Sequence, residues 1–153
     1  MSSESTPIRL AAGSDHAGID LKKHLVGWLR ARGCEVEDLG THDHSSCHYP
    51  DFAAAVAGAV ADGRADLGLL VCGTGQGMAM AANRLPGVRA GVVADTFSAA
   101  AIREHNDARV ICLGQRVIGP GLAEACLDAF LSASFQGGRH AQRVGMFSKI
   151  EKG

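Results

Sequence analysis

Short apolar runs alternate along the chain with longer amphipathic stretches, and each run ends in glycine or in a polar residue. The run LGLLV at 67–71 is continuously apolar, as expected for a strand that is covered on both faces of a sheet. Strands that alternate with helices are typical of an α/β fold on a parallel sheet. The pattern predicts about five strands, at 8–15, 34–40, 67–71, 88–95 and 108–114.

The amphipathic stretches between these runs predict helices. In the first stretch Leu21, Leu25 and Leu29 fall on one face, and Gly33 ends the helix. The predicted helices are 17–33, 51–63, 78–85, 96–106, 117–135 and 137–153. Because no linker or repeat interrupts this order, we expect one domain over 1–153, with a flexible N-terminus at 1–7 and a C-terminal helix at 137–153.

The charge balance limits the classes of partner. The chain has 15 lysine and arginine residues against 16 aspartate and glutamate residues, so its formal net charge is -1. This balance argues against broad electrostatic attraction to nucleic acid or to an anionic membrane. No apolar run reaches the roughly 18 residues that span a bilayer, and the first ten residues lack the pattern of a secretory signal. We therefore expect a cytoplasmic protein with no nucleic-acid or membrane partner.

The five cysteines are an odd number and are widely spaced, which suits reduced thiols better than a disulfide framework. Cys112 and Cys126 lie within apolar segments, so we expect them to be packing residues. Cys72 differs from them because it stands at the end of a predicted strand, directly before a glycine-rich turn.

This turn, CGTGQG at 72–77, is the most informative segment of the chain. Its glycines allow a tight turn whose backbone N–H groups point toward one spot, and the following helix adds the positive end of its dipole. Such a site favours an anion, either a phosphate or an enediolate, and it also favours the thiolate form of Cys72. Cys72 is therefore a candidate base or nucleophile, although a small apolar residue packed at a strand end would give the same sequence. The glycines concerned are Gly73, Gly75 and Gly77.

Two segments resemble nucleotide-binding motifs but lack residues that those motifs require. A strand, a glycine loop, a helix, a second strand and then Asp95 follow the order of a dinucleotide-binding unit, but Met78 or Met80 stands where its last glycine is needed. Gly13 and Gly18 have the spacing of a P-loop, but the lysine and serine or threonine that complete it are absent. We therefore expect no nicotinamide, flavin or other nucleotide cofactor.

Further polar candidates lie after predicted strands, at the edge of the sheet where ligands bind in such folds, or on predicted helices and at their ends. Arg139 and Arg143 lie four residues apart on one face of the last predicted helix, and an anionic ligand such as phosphate would relieve their repulsion. A helix cap, a histidine near a helix dipole and a solvated basic face are the alternative interpretations. The other candidates of this kind are Asp15, His16, His105, Asn106 and Arg116.

The loop THDHSSCHYP at 41–50 is rich in potential metal ligands. Its spacing matches no structural zinc pattern, and a polar surface turn explains the same residues. We expect no metal site there, and a metal-dependent hydrolase built on this loop is kept as an alternative function. The potential ligands are His42, Asp43, His44, Cys47 and His48.

Six segments follow one another in a characteristic order. They are GSDHAG (13–18), YPDFA (49–53), VCGTGQGMAMAANRLPGVRA (71–90), REHNDARV (103–110), LGQRVIG (113–119) and GGRHAQRV (137–144). Together they resemble the type B ribose-5-phosphate isomerases, a family that also includes galactose-6-phosphate and allose-6-phosphate isomerases. Each segment is weak alone, but six in register are specific, and they cover nearly the whole chain from Ile8.

The resemblance implies an α/β, single-domain, Rossmann-like fold of three layers and a sugar-phosphate isomerase that uses no metal and no cofactor. The family moves a proton between C1 and C2 of an aldose phosphate and its ketose phosphate through an enediolate. By this resemblance Cys72 is the base, Thr74 and the amides of residues 73–77 bind the oxyanion, and His105 helps to open the sugar ring. The positions that match the orientation of sugar hydroxyls are Asp15, Tyr49 and Asn106. Those that match phosphate binding are His16, Arg116, Arg139 and Arg143.

The family shares its active site across a homodimer, so the resemblance implies a homodimer or a dimer of dimers, in which the neighbouring subunit supplies part of the phosphate clamp or the ring-opening histidine. Some relatives use a carboxylate in the loop instead of the thiol, but position 76 is Gln here, which favours Cys72. Gln76 and the histidine-rich loop depart from the family and leave the sugar open. Ribose 5-phosphate is the first hypothesis, with a four-carbon erythrose or erythrulose phosphate and a six-carbon allose phosphate as alternatives. A non-catalytic sensor of sugar phosphates or nucleotides is a more distant one.

Overall fold

The computed structural model describes residues 5–152. Within them five strands form one sheet, in the order β2–β1–β3–β5–β4, and every neighbouring pair is parallel. The strands are β1 (Arg9–Ser14), β2 (Glu35–Asp38), β3 (Leu67–Cys72), β4 (Ala90–Val92) and β5 (Val110–Gly114). The helices are α1 (Ile19–Ala31), α2 (Tyr49–Ala61), α3 (Gln76–Ala82), α4 (Thr96–Glu104), α5 (Pro120–Ser132), α6 (Arg139–Gly145) and α7 (Phe147–Lys152).

Side chains that alternate along the central strands build a core on each face of the sheet. Leu69 and Val71 of β3 belong to the cluster formed with α1, α4 and α5, whereas Leu70 and Cys72 belong to the cluster formed with α2 and α3. The sheet is therefore covered on both faces, as its continuously apolar strands require. This confirms the predicted three-layer α/β fold on a five-stranded parallel sheet.

The register of the strands brings three carboxyl ends to one edge of the sheet. Ser14 at the end of β1 lies opposite Val71, and Cys72 at the end of β3 lies opposite Gly114 at the end of β5. Ligands of such sheets bind outside these ends. The residues that follow β1, β3 and β5 therefore meet at one place.

The fourth strand is shorter than the sequence indicated, spanning Ala90–Val92 instead of 88–95. It lies at the edge of the sheet, and Asn83 pairs with it by donating to the Ala90 carbonyl at 2.8 Å and accepting the Ala90 N–H at 2.9 Å. Asp95 caps α4 by accepting the Ser98 N–H at 2.6 Å. Because Asp95 begins the next helix, it cannot also extend the strand.

Two short helices, α6 and α7, replace the single helix predicted over 137–153. The helix α6 ends at Gly145, and the Ser148 hydroxyl donates to the Gly145 carbonyl at 3.0 Å. Glycine is a poor helix former and a serine side chain competes for backbone partners, so the helix is interrupted there. Gly137 and Gly138 have positive φ angles and open α6, in agreement with the expected glycine start.

The predicted flexible segment 1–7 lies mostly outside the described residues, which begin at Ser5. Among the helices that the structure describes, none is long and apolar enough to cross a membrane.

All five cysteines are unpaired, and Cys112 and Cys126 are fully buried, which confirms them as packing residues. Burial, reinforced by the neighbouring Cys72, raises the pKa of the Cys112 thiol far above its usual range, so Cys112 stays neutral.

Candidate active site

The turn after β3 folds back over the sulfur of Cys72. Gly75 adopts a φ of 83°, which side chains rarely allow, and its N–H donates to Cys72 Sγ at 3.1 Å. The sulfur is thus a hydrogen-bond acceptor, a role that suits a thiolate better than a thiol. The turn is also joined to the end of β5, since Gln115 N–H donates to the Cys72 carbonyl at 2.9 Å and Arg116 N–H donates to the Gly73 carbonyl at 3.0 Å.

A cavity of about 350 Å³ opens beside this turn, at the carboxyl edge of the sheet. Its volume is in the range of small-molecule sites. Cys72 is only 6% exposed, yet it forms part of the cavity wall. The lining residues are Asp15, His16, Ala17, Tyr49, Cys72, Gly73, Thr74, Gly77 and Arg116. All of them except Ala17 are candidates from the sequence, so the structure brings eight candidates together.

One glycine of the turn makes room for a cavity side chain. A Cβ atom at Gly77 would lie 2.5 Å from Cε1 of Tyr49, so the tyrosine ring occupies the space that any other residue would need. The Arg116 side chain lies beside Gly73, where a Cβ atom would meet it at 3.5 Å, an ordinary van der Waals distance. Gly77 therefore does more than bend the chain, because it lets a candidate ligand-binding side chain approach the backbone.

Asp15 shapes the turn after β1 and also lies in the cavity wall. Its Oδ1 accepts the N–H groups of Ala17 at 3.0 Å and Gly18 at 3.1 Å, which turns the chain from β1 toward α1. The residue is 7% exposed and lines the cavity. The alternative interpretation of Asp15 as a helix cap is wrong, because Gly18 is the N-cap residue of α1 and no side chain caps this helix. One carboxylate oxygen therefore serves the turn, and the second oxygen is left for a ligand.

His16 receives a backbone hydrogen bond from the loop between β2 and α2. The Cys47 N–H donates to His16 Nδ1 at 3.2 Å, and Cys47 Sγ lies 3.8 Å from the same nitrogen. A ring nitrogen that accepts a hydrogen bond carries no proton, so a neutral His16 holds its proton on Nε2. Cys47 was singled out in the sequence as a potential metal ligand, and its observed contact is with His16.

Five of the candidates do not line this cavity: Gly75 lies in the turn beside it, and the other four form a second group elsewhere in the chain. His105 ends α4, and its ring stacks on that of His140 with 4.4 Å between the ring centroids. Loss of hydration lowers the pKa of His140, and the positive charges of His105, Arg139 and Arg143 lower it further. Asn106 lines a separate cavity of about 380 Å³. Within one chain these four candidates therefore lie apart from the cavity, and the resemblance implied that a neighbouring subunit supplies part of the site.

His140 is a member of this second group that sequence reasoning missed. It stands between Arg139 and Arg143 without any spacing that signals a function. Its contact with His105 crosses 35 positions of the chain, and only the fold brings the two rings together.

The histidine-rich loop does not assemble a metal centre in the described part of the chain. Across residues 5–152 there is no group of three His, Cys, Asp or Glu side chains placed to bind a metal ion. His44 instead contacts Asp20 at 2.8 Å, and both side chains are about two-thirds exposed.

The family model described as ribose/galactose isomerase matches residues 10–147. The chain belongs to the ribose/galactose isomerase family. Ribose-5-phosphate isomerase B of Escherichia coli is 46% identical to it over 144 residues, which cover 94% of this chain and 97% of the relative. The resemblance carried by the six sequence segments is confirmed.

Other members of the ribose/galactose isomerase family agree with the observed fold. The solved structure of ribose-5-phosphate isomerase B from Clostridium thermocellum has a TM-score of 0.94 and 49% identity, and the match covers 95% of this chain and 98% of that one. D-erythrulose-4-phosphate isomerase of Pectobacterium atrosepticum is 41% identical over 150 residues, covering 95% of this chain and 98% of the relative. Members this similar are therefore named for different sugars.

Proposed function

We propose that this protein is an aldose–ketose isomerase that interconverts D-ribose 5-phosphate and D-ribulose 5-phosphate, with Cys72 as general base and without a metal or cofactor. The observation that carries the proposal is the position of Cys72, whose sulfur accepts the Gly75 N–H and lies in the wall of a cavity of small-molecule size. The relatives named ribose-5-phosphate isomerase B, at 46% and 49% identity, support this substrate.

The proposed reaction is a proton transfer between neighbouring carbons. The Cys72 thiolate removes the proton from C2 of the open-chain aldose, and the electron pair of that bond forms an enediolate with negative charge on O1. The resulting thiol returns a proton to C1, while the hydroxyl proton of O2 moves to O1, and the ketose is formed. No atom is gained or lost, and the same residue acts first as base and then as acid.

The turn beside Cys72 offers donors for the charge that develops on the enediolate. The Gly75 N–H is engaged by the sulfur, and the Gln76 N–H donates to Thr74 Oγ1 at 3.3 Å. We assign the oxyanion to the Thr74 hydroxyl and to the other amides of the turn, because donors fixed in advance stabilise a transition-state charge most effectively. The second oxygen of Asp15 and the Tyr49 hydroxyl would orient the sugar hydroxyls at the same cavity.

The second group of candidates would reach the cavity from another copy of this chain. In the described residues neither Arg139 nor Arg143 forms an ion pair, and the adjoining Phe147 and Ile150 are exposed apolar side chains that a second copy could cover. We therefore propose a homodimer or a dimer of dimers. In it Arg139 and Arg143 of one chain join His16 and Arg116 of the other around the phosphate. His105 would promote ring opening, and Asn106 would bind a sugar hydroxyl.

A four-carbon substrate is the second candidate, because the chain is 41% identical to a D-erythrulose-4-phosphate isomerase. The values of kcat/KM for ribose 5-phosphate, erythrose 4-phosphate and allose 6-phosphate, measured side by side, decide between sugar lengths. We expect the five-carbon sugar to be preferred by about ten- to 200-fold, the range of one methylene in a pocket.

With all five thiols unpaired, we place the protein in the cytoplasm.

Replacement of the base tests the central assignment. We expect Cys72→Ala to lower kcat by about 100- to 10,000-fold, because a general base contributes that much, while ribose 5-phosphate still binds in calorimetry. Cys34→Ala is the control, since Cys34 is a half-buried thiol on the turn between α1 and β2. Full turnover in Cys72→Ala would remove Cys72 from the mechanism. If the wild-type protein binds the sugar phosphate without turning it over, it is a non-catalytic sensor of sugar phosphates and not an isomerase. If EDTA abolishes the activity, the protein is a metal-dependent enzyme.

A further inference from the structure

Lys22 of α1 is a fully buried charge that the proposed mechanism does not use. Its Nζ donates to both carboxylate oxygens of Asp38 at 2.7 Å and to the Thr41 carbonyl oxygen at 2.8 Å. All three ammonium hydrogens therefore have acceptors. A well-packed apolar pair often stabilises a fold as well as a buried ion pair does, so stability alone is a weak reason for a lysine here.

The contact with Thr41 fixes the start of the loop between β2 and α2, residues 41–48. Residues 42–46 of this loop are exposed, so they have little packing to hold them. The end of β1 reinforces the same point, because Ser14 N–H donates to the Gly40 carbonyl and Thr41 N–H donates to the Ser14 carbonyl, both at 2.8 Å. The loop is thus anchored where it leaves the sheet.

The segment that opens α1 holds the loop at two further points. In the middle of the loop His44 contacts Asp20. Both side chains are about two-thirds exposed, so this pair contributes little to holding the loop in place. At its end the Cys47 N–H donates to His16 Nδ1. The buried anchor at Lys22 and the hydrogen bond at His16 therefore stand at opposite ends of a loop with an exposed middle.

The hydrogen bond from Cys47 determines which nitrogen of His16 carries the proton. Because Nδ1 accepts, the neutral ring is the Nε2–H tautomer, and Nε2–H is the donor that remains for a ligand. His16 lines the same cavity as Arg116. A second donor beside the guanidinium suits the phosphate of the substrate, and this step rests on the proposed function.

We propose that Lys22 is a positioning residue. By holding the start of the loop 41–48 against α1, it keeps the Cys47 amide on Nδ1 of His16 and so presents His16 to the substrate phosphate as the Nε2–H tautomer. Lys22 touches neither the cavity nor the reacting atoms, and it acts only through the loop and His16.

Lys22→Met tests this proposal, because methionine fills a similar volume without the charge. Long-range ¹H–¹⁵N spectra of the labelled protein report which nitrogen of His16 carries the proton. We expect Nε2–H alone in the wild type and a mixture of tautomers in Lys22→Met. We also expect KM for ribose 5-phosphate to rise by about tenfold with kcat changed by less than about threefold, since binding of the phosphate is what weakens. Measurements are made well below the unfolding temperature of each variant.

Three controls keep the proposal falsifiable. Asp20→Asn removes the exposed contact to the same loop and should change neither the tautomer nor KM. Lys22→Met with Asp38→Asn removes both charges of the pair, so it should fold where the single variant does not, and it should show the same tautomer mixture. Lys22→Met combined with His16→Asn should have the same KM as His16→Asn alone, because the effect of Lys22 on KM passes through His16.

A single Nε2–H tautomer and an unchanged KM in the Lys22 variants would overturn the inference, and so would an additional rise in KM in the His16→Asn background. The spectra do not depend on turnover. If the wild type isomerises no sugar phosphate, the proposed function fails while the tautomer result still decides whether Lys22 positions His16.

Discussion

The ring of Tyr49 lies so close to Gly77 that a methyl group there would overlap the ring carbons. In Gly77→Ala the tyrosine must move, and since it is 39% exposed it can swing outward with little loss of stability. We expect kcat/KM for ribose 5-phosphate to fall by about ten- to 200-fold, the range for a lost pocket contact, with Tm nearly unchanged. Steady-state kinetics and thermal unfolding of the variant check this.

Gly58→Ala is the matched control for that substitution. Gly58 lies in α2, and a Cβ atom there would meet no atom within 4 Å. Alanine should stabilise this helix by about 0.5–1 kcal/mol without changing kcat/KM. An active Gly77→Ala, as efficient as Gly58→Ala, would show that the Tyr49 ring does not shape the substrate site.

At the scale of single residues, the sequence predicted positions near a strand end better than contacts between distant residues. Cys72 was placed correctly because a buried strand and a glycine turn are local patterns. The contact of Tyr49 with Gly77 and that of His16 with Cys47 were not predicted, because they depend on how separate elements pack. Spacing along the chain holds no information on such distances.

Elements with strong periodicity were predicted well, and those governed by side-chain hydrogen bonds were not. The strands β1, β3 and β5 and the helix α1 follow their apolar patterns closely. The end of β4 was predicted too late and the break between α6 and α7 was missed, because Asp95 and Ser148 bind the backbone there. The hydrophobic pattern of a sequence does not show where a side chain competes for the hydrogen bonds of the backbone.

The contact between α4 and α6 predicts a dependence of stability on pH. The pKa of His140 is lowered from its ordinary value of 6.5 by lost hydration and by His105, Arg139 and Arg143. His140 therefore binds a proton more readily in the unfolded chain than in the folded one. The stability that the neutral His140 contributes to the folded chain is complete above about pH 6.5 and is lost as the pH falls below that value. We expect Tm to decrease from about pH 7.5 to 5.5 and His140→Phe, which cannot be protonated, to reduce that decrease. An equal decrease in both proteins would contradict this.

At the scale of the whole molecule, the candidates divide into two groups that a single chain keeps apart. The first group lines the cavity with Cys72, and the second lies around His105, which stacks on His140. The rule that ligands bind at the carboxyl edge of a parallel sheet predicted the first group. It does not apply to the second group, because α4 connects the parallel strands β4 and β5 and therefore runs back toward their amino ends before it reaches His105.

Mixing two inactive variants tests whether two copies of the chain complete one site. If Cys72 and His105 act in one site from different chains, a hybrid of Cys72→Ala with His105→Asn contains one site with both residues intact. Random pairing then restores about a quarter of the wild-type sites, and the activity should appear only after the chains exchange partners. Refolding the two variants together and assaying ribose 5-phosphate turnover measures this. Cys72→Ala mixed with Thr74→Ala should stay inactive, because both residues lie in the same group. Hybrids that form but remain inactive would place the complete site within one chain.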